Sequence, residues 1–199
     1  MGTTLDITKT QKGPVKVWFG IALPAPGTTM ILNALGEPDA TQNPLRKLVG
    51  LTDAGASSSL GKTTTEENFD ELPEAQNFTI DKTTMNIKVE AAQVLDPDNL
   101  AQATTGIGTP TIVAGRTIYT IGTGVLSYTG VAVIAPTLYD PTKCLVFHMY
   151  KGYNAGSFDV ETARNKRAKI SFDFKGVGVA TRVKSDTLGY VDPGMPLGI

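Results

Sequence analysis

Apolar and polar residues alternate with a period of two over several short segments of the chain. Residues 15–21 read VKVWFGI, which predicts a strand with one buried face. Residues 85–90 read MNIKVE and residues 169–175 read KISFDFK, which predict two more half-buried strands. Successive side chains of a strand point to opposite faces, so the apolar set is expected to face the core. That set comprises Met85, Ile87, Val89, Ile170, Phe172 and Phe174.

Shorter apolar runs predict the remaining elements. Residues 144–150 are apolar on both faces, which is typical of a central strand. Residues 96–104 begin with a capping Asp96 and Pro97 at the first helical position, which predicts one helix of about two turns. Other short strands are predicted at 111–113, 118–121, 130–134, 158–161 and 177–179. The predicted fold is mainly β, a β-sandwich or barrel with one short flanking α-helix and long loops and arms.

The chain of 199 residues has the length of a single domain. Residues 1–13 are polar and predict an N-terminal arm, and residues 14–184 predict a single β-rich domain. Within that domain, positions 36–74 are rich in Gly, Pro, Ser and Asp and predict a long irregular loop. Residues 185–199 are rich in Gly and Pro and predict a C-terminal arm.

The charge of the chain is divided between its two halves, although the net charge is only −1. Residues 1–100 hold 8 basic and 13 acidic side chains, and residues 101–199 hold 10 basic and 6 acidic ones. The low net charge argues against a general nucleic-acid binder. The division of charge allows head-to-tail self-association, and a neutral folded dipole is the alternative. The candidate contacts between subunits are Glu66, Glu67, Asp70, Glu71, Glu74, Arg164, Lys166 and Arg167.

Residue types that carry chemistry are few. Cys144 is the only cysteine, so no internal disulfide forms, and His148 is the only histidine. Four residues along a strand separate the two by about 13 Å, too far for proton transfer. The N-terminus shows no signal-peptide pattern and no apolar run reaches membrane-spanning length. We therefore expect no catalytic residue, no metal and no cofactor, and synthesis in a reducing aqueous compartment.

One motif, at residues 56–63, is compatible with a nucleotide-binding enzyme. Residues 56–63 read ASSSLGKT, which satisfies the relaxed phosphate-loop pattern with Ala in place of the first Gly. A true phosphate loop opens a helix, whereas the β-branched and acidic run TTTEE follows Lys62 and is a poor helix start. A flexible loop is the preferred interpretation, and a nucleotide-binding enzyme is the alternative.

Four segments together resemble the major tail tube proteins of long-tailed bacteriophages. They are the early strand at 15–21, the turn LVGLTDAG at 48–55, the strand and helix NIKVEAAQVLDPDNLAQA at 86–103, and the closing strand RAKISFDFKG at 167–176. The resemblance spans most of the chain in the same order.

The resemblance implies a non-enzymatic structural subunit that assembles into stacked hexameric rings around a DNA conduit. The implied partners are further copies of the chain, the tape measure, tail terminator and baseplate proteins, and viral DNA that passes without sequence-specific binding. The implied location is the virion tail, reached from the host cytoplasm, with no membrane partner. The polar sides of two strands would then face the lumen. These candidate residues are Asn86, Lys88, Glu90, Lys169, Ser171, Asp173 and Lys175.

A β-sandwich binding module, such as an adhesin or a carbohydrate-binding domain, is the main alternative. It predicts a monomer with an aromatic platform, while aromatic residues make up only 7% of the chain. Trp18, the single tryptophan, lies within the first predicted strand.

Overall fold

A computed structural model describes residues 15–50, 52–67, 77–91, 111–118, 128–137, 140–156, 170–179 and 187–198. Within these ranges the protein is mainly β, as predicted, and contains ten strands and no helix. The strands are β1 (Lys16–Phe19), β2 (Lys47–Leu48), β3 (Thr52–Glu67), β4 (Asn77–Ala91), β5 (Thr111–Val113), β6 (Arg116–Ile118), β7 (Tyr128–Pro136), β8 (Lys143–Asn154), β9 (Ile170–Gly176) and β10 (Gly189–Pro196).

Eight strands form one antiparallel sheet in the order β2-β1-β7-β8-β9-β4-β3, with β10 paired to β8. Strands β5 and β6 form a separate hairpin. Strand β8 is the centre of the sheet, because it pairs with β7, with β10 over its first half and with β9 at its end. The central position predicted for residues 144–150 is confirmed.

The sheet folds over on itself around a first core. Val17 and Val131 from one half pack in the same cluster as Ile87, Phe172 and Phe174 from the other half. The rings of Phe172 and Phe174 stack with centroids 5.6 Å apart, and both side chains are fully buried. The predicted apolar faces of β4 and β9 are therefore confirmed, and they provide the arrangement expected of a β-sandwich or barrel.

A second core covers the opposite face of β1, β7 and β8. Trp18 is buried there beside Ile134 and Val146, beneath Met30 and Leu32 of the segment that follows β1. The prediction that the first strand buries only one face is wrong. Val17 and Phe19 of β1 belong to the first core, and Trp18 between them packs in the second core. Strand β1 is therefore covered on both faces.

The prediction of an irregular loop at 36–74 is wrong in its second half, because Thr52–Glu67 forms β3, a 16-residue strand. Backbone pairing with β4 orders this Ser-, Thr- and Gly-rich segment over almost its whole length. Small polar side chains give no period-two apolar pattern, so the sequence offered no signal of a strand. Residues 36–46 do remain irregular.

The C-terminal arm predicted at 185–199 is also wrong in part. Gly189–Pro196 forms β10 along β8, and Met195 is buried in the second core. The register shifts between Asp192 and Met195, so Pro193 lies where the hydrogen-bonded ladder is interrupted and the missing N–H costs little. Residues 177–179, which were predicted to form the last strand, are instead irregular.

Several predicted elements fall partly or wholly outside the described residues. The N-terminal arm at 1–13, the helix at 96–104 and the strand at 158–161 lie there entirely. The strand predicted at 118–121 overlaps Arg116–Ile118 only at its first residue, and the rest of it also lies outside the described ranges. These elements remain predictions.

Candidate self-assembly surfaces

Strands β4 and β9 present a polar face opposite the first core. Asn86, Lys88 and Glu90 alternate with buried Ile87 and Val89 along β4. On β9, Ser171, Asp173 and Lys175 alternate in the same way with Phe172 and Phe174. Six of the seven candidate lumen-facing residues therefore share one face of the sheet. Lys169 lies outside the described residues.

Register brings the charges of this face into cross-strand pairs. Lys88 stands opposite Asp173, and the Lys88 Nζ lies 3.8 Å from the Asp173 Oδ2. The Lys88 side chain is 66% exposed, so water screens this ion pair and its contribution to stability is about 0–1 kcal/mol. The pair leaves this part of the face locally neutral.

A row of side chains crosses five strands of the same face. Tyr128 pairs with Tyr153, Tyr153 with Lys175, Lys175 with Asn86, and Asn86 with Ser59. Four strand spacings make the row about 19 Å long. Its two tyrosine rings meet edge to face with centroids 6.3 Å apart.

The aromatic end of this row was missed by sequence reasoning. The Lys151 Nζ lies 4.4 Å from the centroid of the Tyr128 ring, a cation–π contact on a side chain that is 47% exposed. Tyr128 lies outside every predicted strand, and the register of β7 with β8 shifts between Thr129 and Val131. A regular alternation along the sequence therefore could not place Tyr128 beside Tyr153.

The sheet ends in a long hairpin. Strand β3 pairs with residues 77–91 of β4, whereas β9 pairs only with residues 86–91. Eight residue pairs of the hairpin, from Leu60↔Met85 to Glu67↔Asn77, thus extend about 25 Å past the end of β9. In the part of the chain that the structure describes, the outer edge of β3 carries no partner strand. An open edge of this length is a template for pairing with another chain.

Of the two charged segments predicted to join subunits, the structure describes only the start of the acidic one. The backbones of Glu66 and Glu67 end β3 at the far end of the hairpin, opposite Phe78 and Asn77. The other candidate contacts lie outside the described residues, so their pairing remains a prediction. They are Asp70, Glu71, Glu74, Arg164, Lys166 and Arg167.

The phosphate-loop lookalike at 56–63 is part of β3. Each of these residues pairs with β4, and Lys62 stands opposite Thr83. Strand β3 continues after Lys62 through Thr63 to Glu67, so no helix N-terminus is formed to hold a phosphate. The prediction of a flexible loop for this motif is wrong, since pairing with β4 holds its backbone in an extended conformation.

His148 is a core residue. Its side chain is fully buried, and its ring makes edge-to-face contacts with Tyr150 and Tyr190 at centroid distances of 5.3 and 5.2 Å. The Tyr190 hydroxyl accepts a hydrogen bond from the Met30 N–H at 3.0 Å, and burial raises the pKa of Tyr190 to about 12. Burial likewise raises the pKa of the Cys144 thiol, which disfavours the nucleophilic thiolate. The arrangement packs the second core.

Among the described residues, no group of three or more His, Cys, Asp or Glu side chains is placed to hold a metal ion. The same part of the chain contains no helix long and apolar enough to cross a membrane. Neither a known protein-family model nor a curated protein matches this chain.

Proposed function

We propose that this protein is the structural subunit of a phage tail tube, which assembles into stacked hexameric rings around a DNA conduit. One observation carries the proposal: a polar sheet face, backed by a buried core, ends in the open edge of β3. Copies joined edge to edge extend such a face around a ring, because an open strand supplies backbone donors and acceptors to its neighbour. In this proposal the β3 edge meets a different surface of the next copy, so the interface is heterologous, and such an interface forms a ring when its rotation closes.

The charge of the polar face bears on its proposed role in the lumen. Lys88 and Asp173 neutralise each other locally, and Glu90 and Lys175 carry opposite charges nearby. A mixed face binds duplex phosphates only weakly, because the described residues of this face form no dense cluster of lysines that could displace counterions. Weak contact is what a conduit requires if viral DNA is to pass through it.

The projecting hairpin is proposed to contact the next ring of the stack, because its first strand belongs to the 36–74 stretch. Its described part extends about 25 Å beyond β9, as far as the acidic residues Glu66 and Glu67. Contacts with the tape measure, tail terminator and baseplate proteins, and a location in the virion after assembly in the host cytoplasm, belong to the same proposal. The proposal assigns the protein no catalytic role.

Sizing and imaging test the proposal. Purified protein is expected to form larger species as its concentration rises, and negative-stain micrographs should show annular particles and tubes. A protein that stays monomeric at every concentration would contradict the proposed function.

A shortened hairpin provides a matched variant. Residues 63–82 are replaced by Asn-Gly, which connects the cross-strand partners Lys62 and Thr83 by a two-residue turn. The core pairs of β4 with β9 remain, so the variant should fold and keep its circular dichroism spectrum but form no tubes. If the variant formed tubes as well as the wild type does, the hairpin would not be part of the assembly interface.

The Tyr128–Tyr153 pair favours a second candidate function, a carbohydrate-binding module. An aromatic platform is what this alternative predicts; here Tyr128 is exposed and Tyr153 half-buried, and Lys151 lies over the Tyr128 ring. This candidate requires a monomer whose glycan binding is lost in Tyr153→Ala. Glycan-array binding combined with monomeric sizing would select it over the tube.

A further inference from the structure

An apolar groove separates β3 from the opposite half of the fold. Two adjoining cavities of about 210 and 380 Å³ form it, and the Phe147 side chain lines both. One wall is the first-core side of β3, with Ala56 and Leu60, and the other includes Val133 and Val191. The groove is thus the open side of the first core, where β3 stands away from β7, β8 and β10.

Large apolar side chains are exposed on both walls of this groove. Leu60 is 54% exposed and Val191 is 47% exposed, and both line the larger cavity. Covering them would remove apolar surface from water at a gain of about 25 cal/mol per Å². The groove therefore favours an apolar occupant.

The chain itself leads a candidate occupant to this groove. Val15, the first described residue, lines the smaller cavity, so residues 1–14 reach the fold at one end of the groove. Two residues further along the chain, a cross-strand row runs from Val17 through Val133 and Phe147 to Val191. Three strand spacings separate β1 from β10 along this row, about 14 Å.

The first 14 residues have the right apolar content and reach. They read MGTTLDITKTQKGP, in which Leu5 and Ile7 are the large apolar residues apart from Met1. In an extended chain these two side chains point to the same side. Eight residues from Ile7 to Val15 span up to about 26 Å, which covers the distance to Val191 and leaves length for a turn.

We propose that, in the monomeric chain, its own N-terminal segment covers this groove, with Leu5 and Ile7 packed against Leu60 and Val191. The tether favours the chain's own segment over that of a second copy, because a short linker holds it at an effective concentration on the order of millimolar. This inference goes beyond the proposed function, and it concerns the monomer whether or not tubes form.

Disulfide trapping tests the contact. Ile7→Cys is combined with Leu60→Cys and oxidised at low micromolar concentration; the single native cysteine, Cys144, is buried. Most molecules are expected to form an intramolecular disulfide, detected by peptide mass spectrometry. The control combines Ile7→Cys with Leu45→Cys, a residue 75% exposed that lies beside Gly20 at the other end of β1, and should cross-link at least fivefold less.

Other results would overturn the proposal. A disulfide between two copies would show that the N-terminal segment of a second chain occupies the groove. Cross-linking equal to that of the Leu45 control would show that the N-terminal segment does not occupy it.

An independent measurement uses an apolar fluorescent dye. Leu5→Ser with Ile7→Ser should raise dye fluorescence severalfold by uncovering the groove, whereas Thr4→Ser with Thr8→Ser should not. Equal fluorescence in the two variants would contradict the proposal even if the cysteine pair fails to fold. Tube formation, measured separately on the wild type, decides the proposed function without affecting this result.

Discussion

Lys88 and Asp173 face each other across β4 and β9, with 3.8 Å between Nζ and Oδ2. One residue away on each strand, Val89 and Phe172 are partners in the same ladder and point into the first core. A single register thus separates a solvated ion pair from a buried apolar pair. Substitutions at neighbouring positions of β9 should therefore lower the free energy of unfolding by very different amounts.

Phe172→Ala is expected to lower the free energy of unfolding by about 3–5 kcal/mol, because it leaves a cavity beside Phe174. Asp173→Ala should cost only about 0–1 kcal/mol, because it removes a screened ion pair. Urea denaturation measures both values. Phe172→Leu is the control and should cost less than the alanine variant. Equal losses at positions 172 and 173 would contradict the assigned faces.

Reversing the basic cluster tests the charged contact between subunits. Arg164→Glu, Lys166→Glu and Arg167→Glu together should impair tube formation while leaving the subunit folded. The physical reason is repulsion from the acidic run that begins at Glu66, repeated at every interface of a ring. Negative-stain imaging and circular dichroism measure the two outcomes.

The matched control exchanges both charges. Adding Glu66→Lys, Glu67→Lys and Asp70→Lys to the reversed chain should restore assembly, because opposite charges again face each other. Normal tubes from the first triple variant would refute the pairing.

Lys62→Ala should leave nucleotide binding unchanged, because Lys62 lies in a strand rather than at a helix N-terminus. Isothermal titration calorimetry with magnesium and ATP should give no binding heat for either protein. Magnesium-dependent binding by the wild type that disappears in the variant would revive the enzyme interpretation.

Tyr190→Phe should cost about 1–3 kcal/mol, because the buried Met30 N–H loses its acceptor. The same hydroxyl introduces a pH dependence. Burial raises its pKa from 10.0 to about 12, so the folded state keeps a proton that the unfolded chain has already lost. The wild-type free energy of unfolding should therefore fall as pH rises from about 10 to 12.

The variant isolates this titration. The difference in stability between the wild type and Tyr190→Phe should be constant below pH 10 and should shrink as pH rises above it. Urea denaturation across this range measures it, and a difference that stays constant to pH 12 would contradict the assignment.

Period-two alternation was sufficient to predict the apolar faces of β4 and β9, and uninterrupted apolarity was sufficient to predict that β8 is central. Burial depends there on side chains whose polarity can be read one residue at a time. The opposite, polar face followed from the same alternation. For Asn86 and Asp173, the sequence therefore determined which side of the sheet they occupy.

Only the tertiary structure decided which elements those faces meet. Backbone pairing with β4 orders strand β3, and backbone pairing with β8 orders β10. Backbone hydrogen bonds of this kind cannot be predicted from the polarity of the side chains. A register shift brings Tyr128 beside Tyr153, and the fold brings Leu60 and Val191 to opposite walls of one groove. These relationships depend on contacts between distant segments, because the pairing of strands and the packing of their faces form only when the whole chain folds.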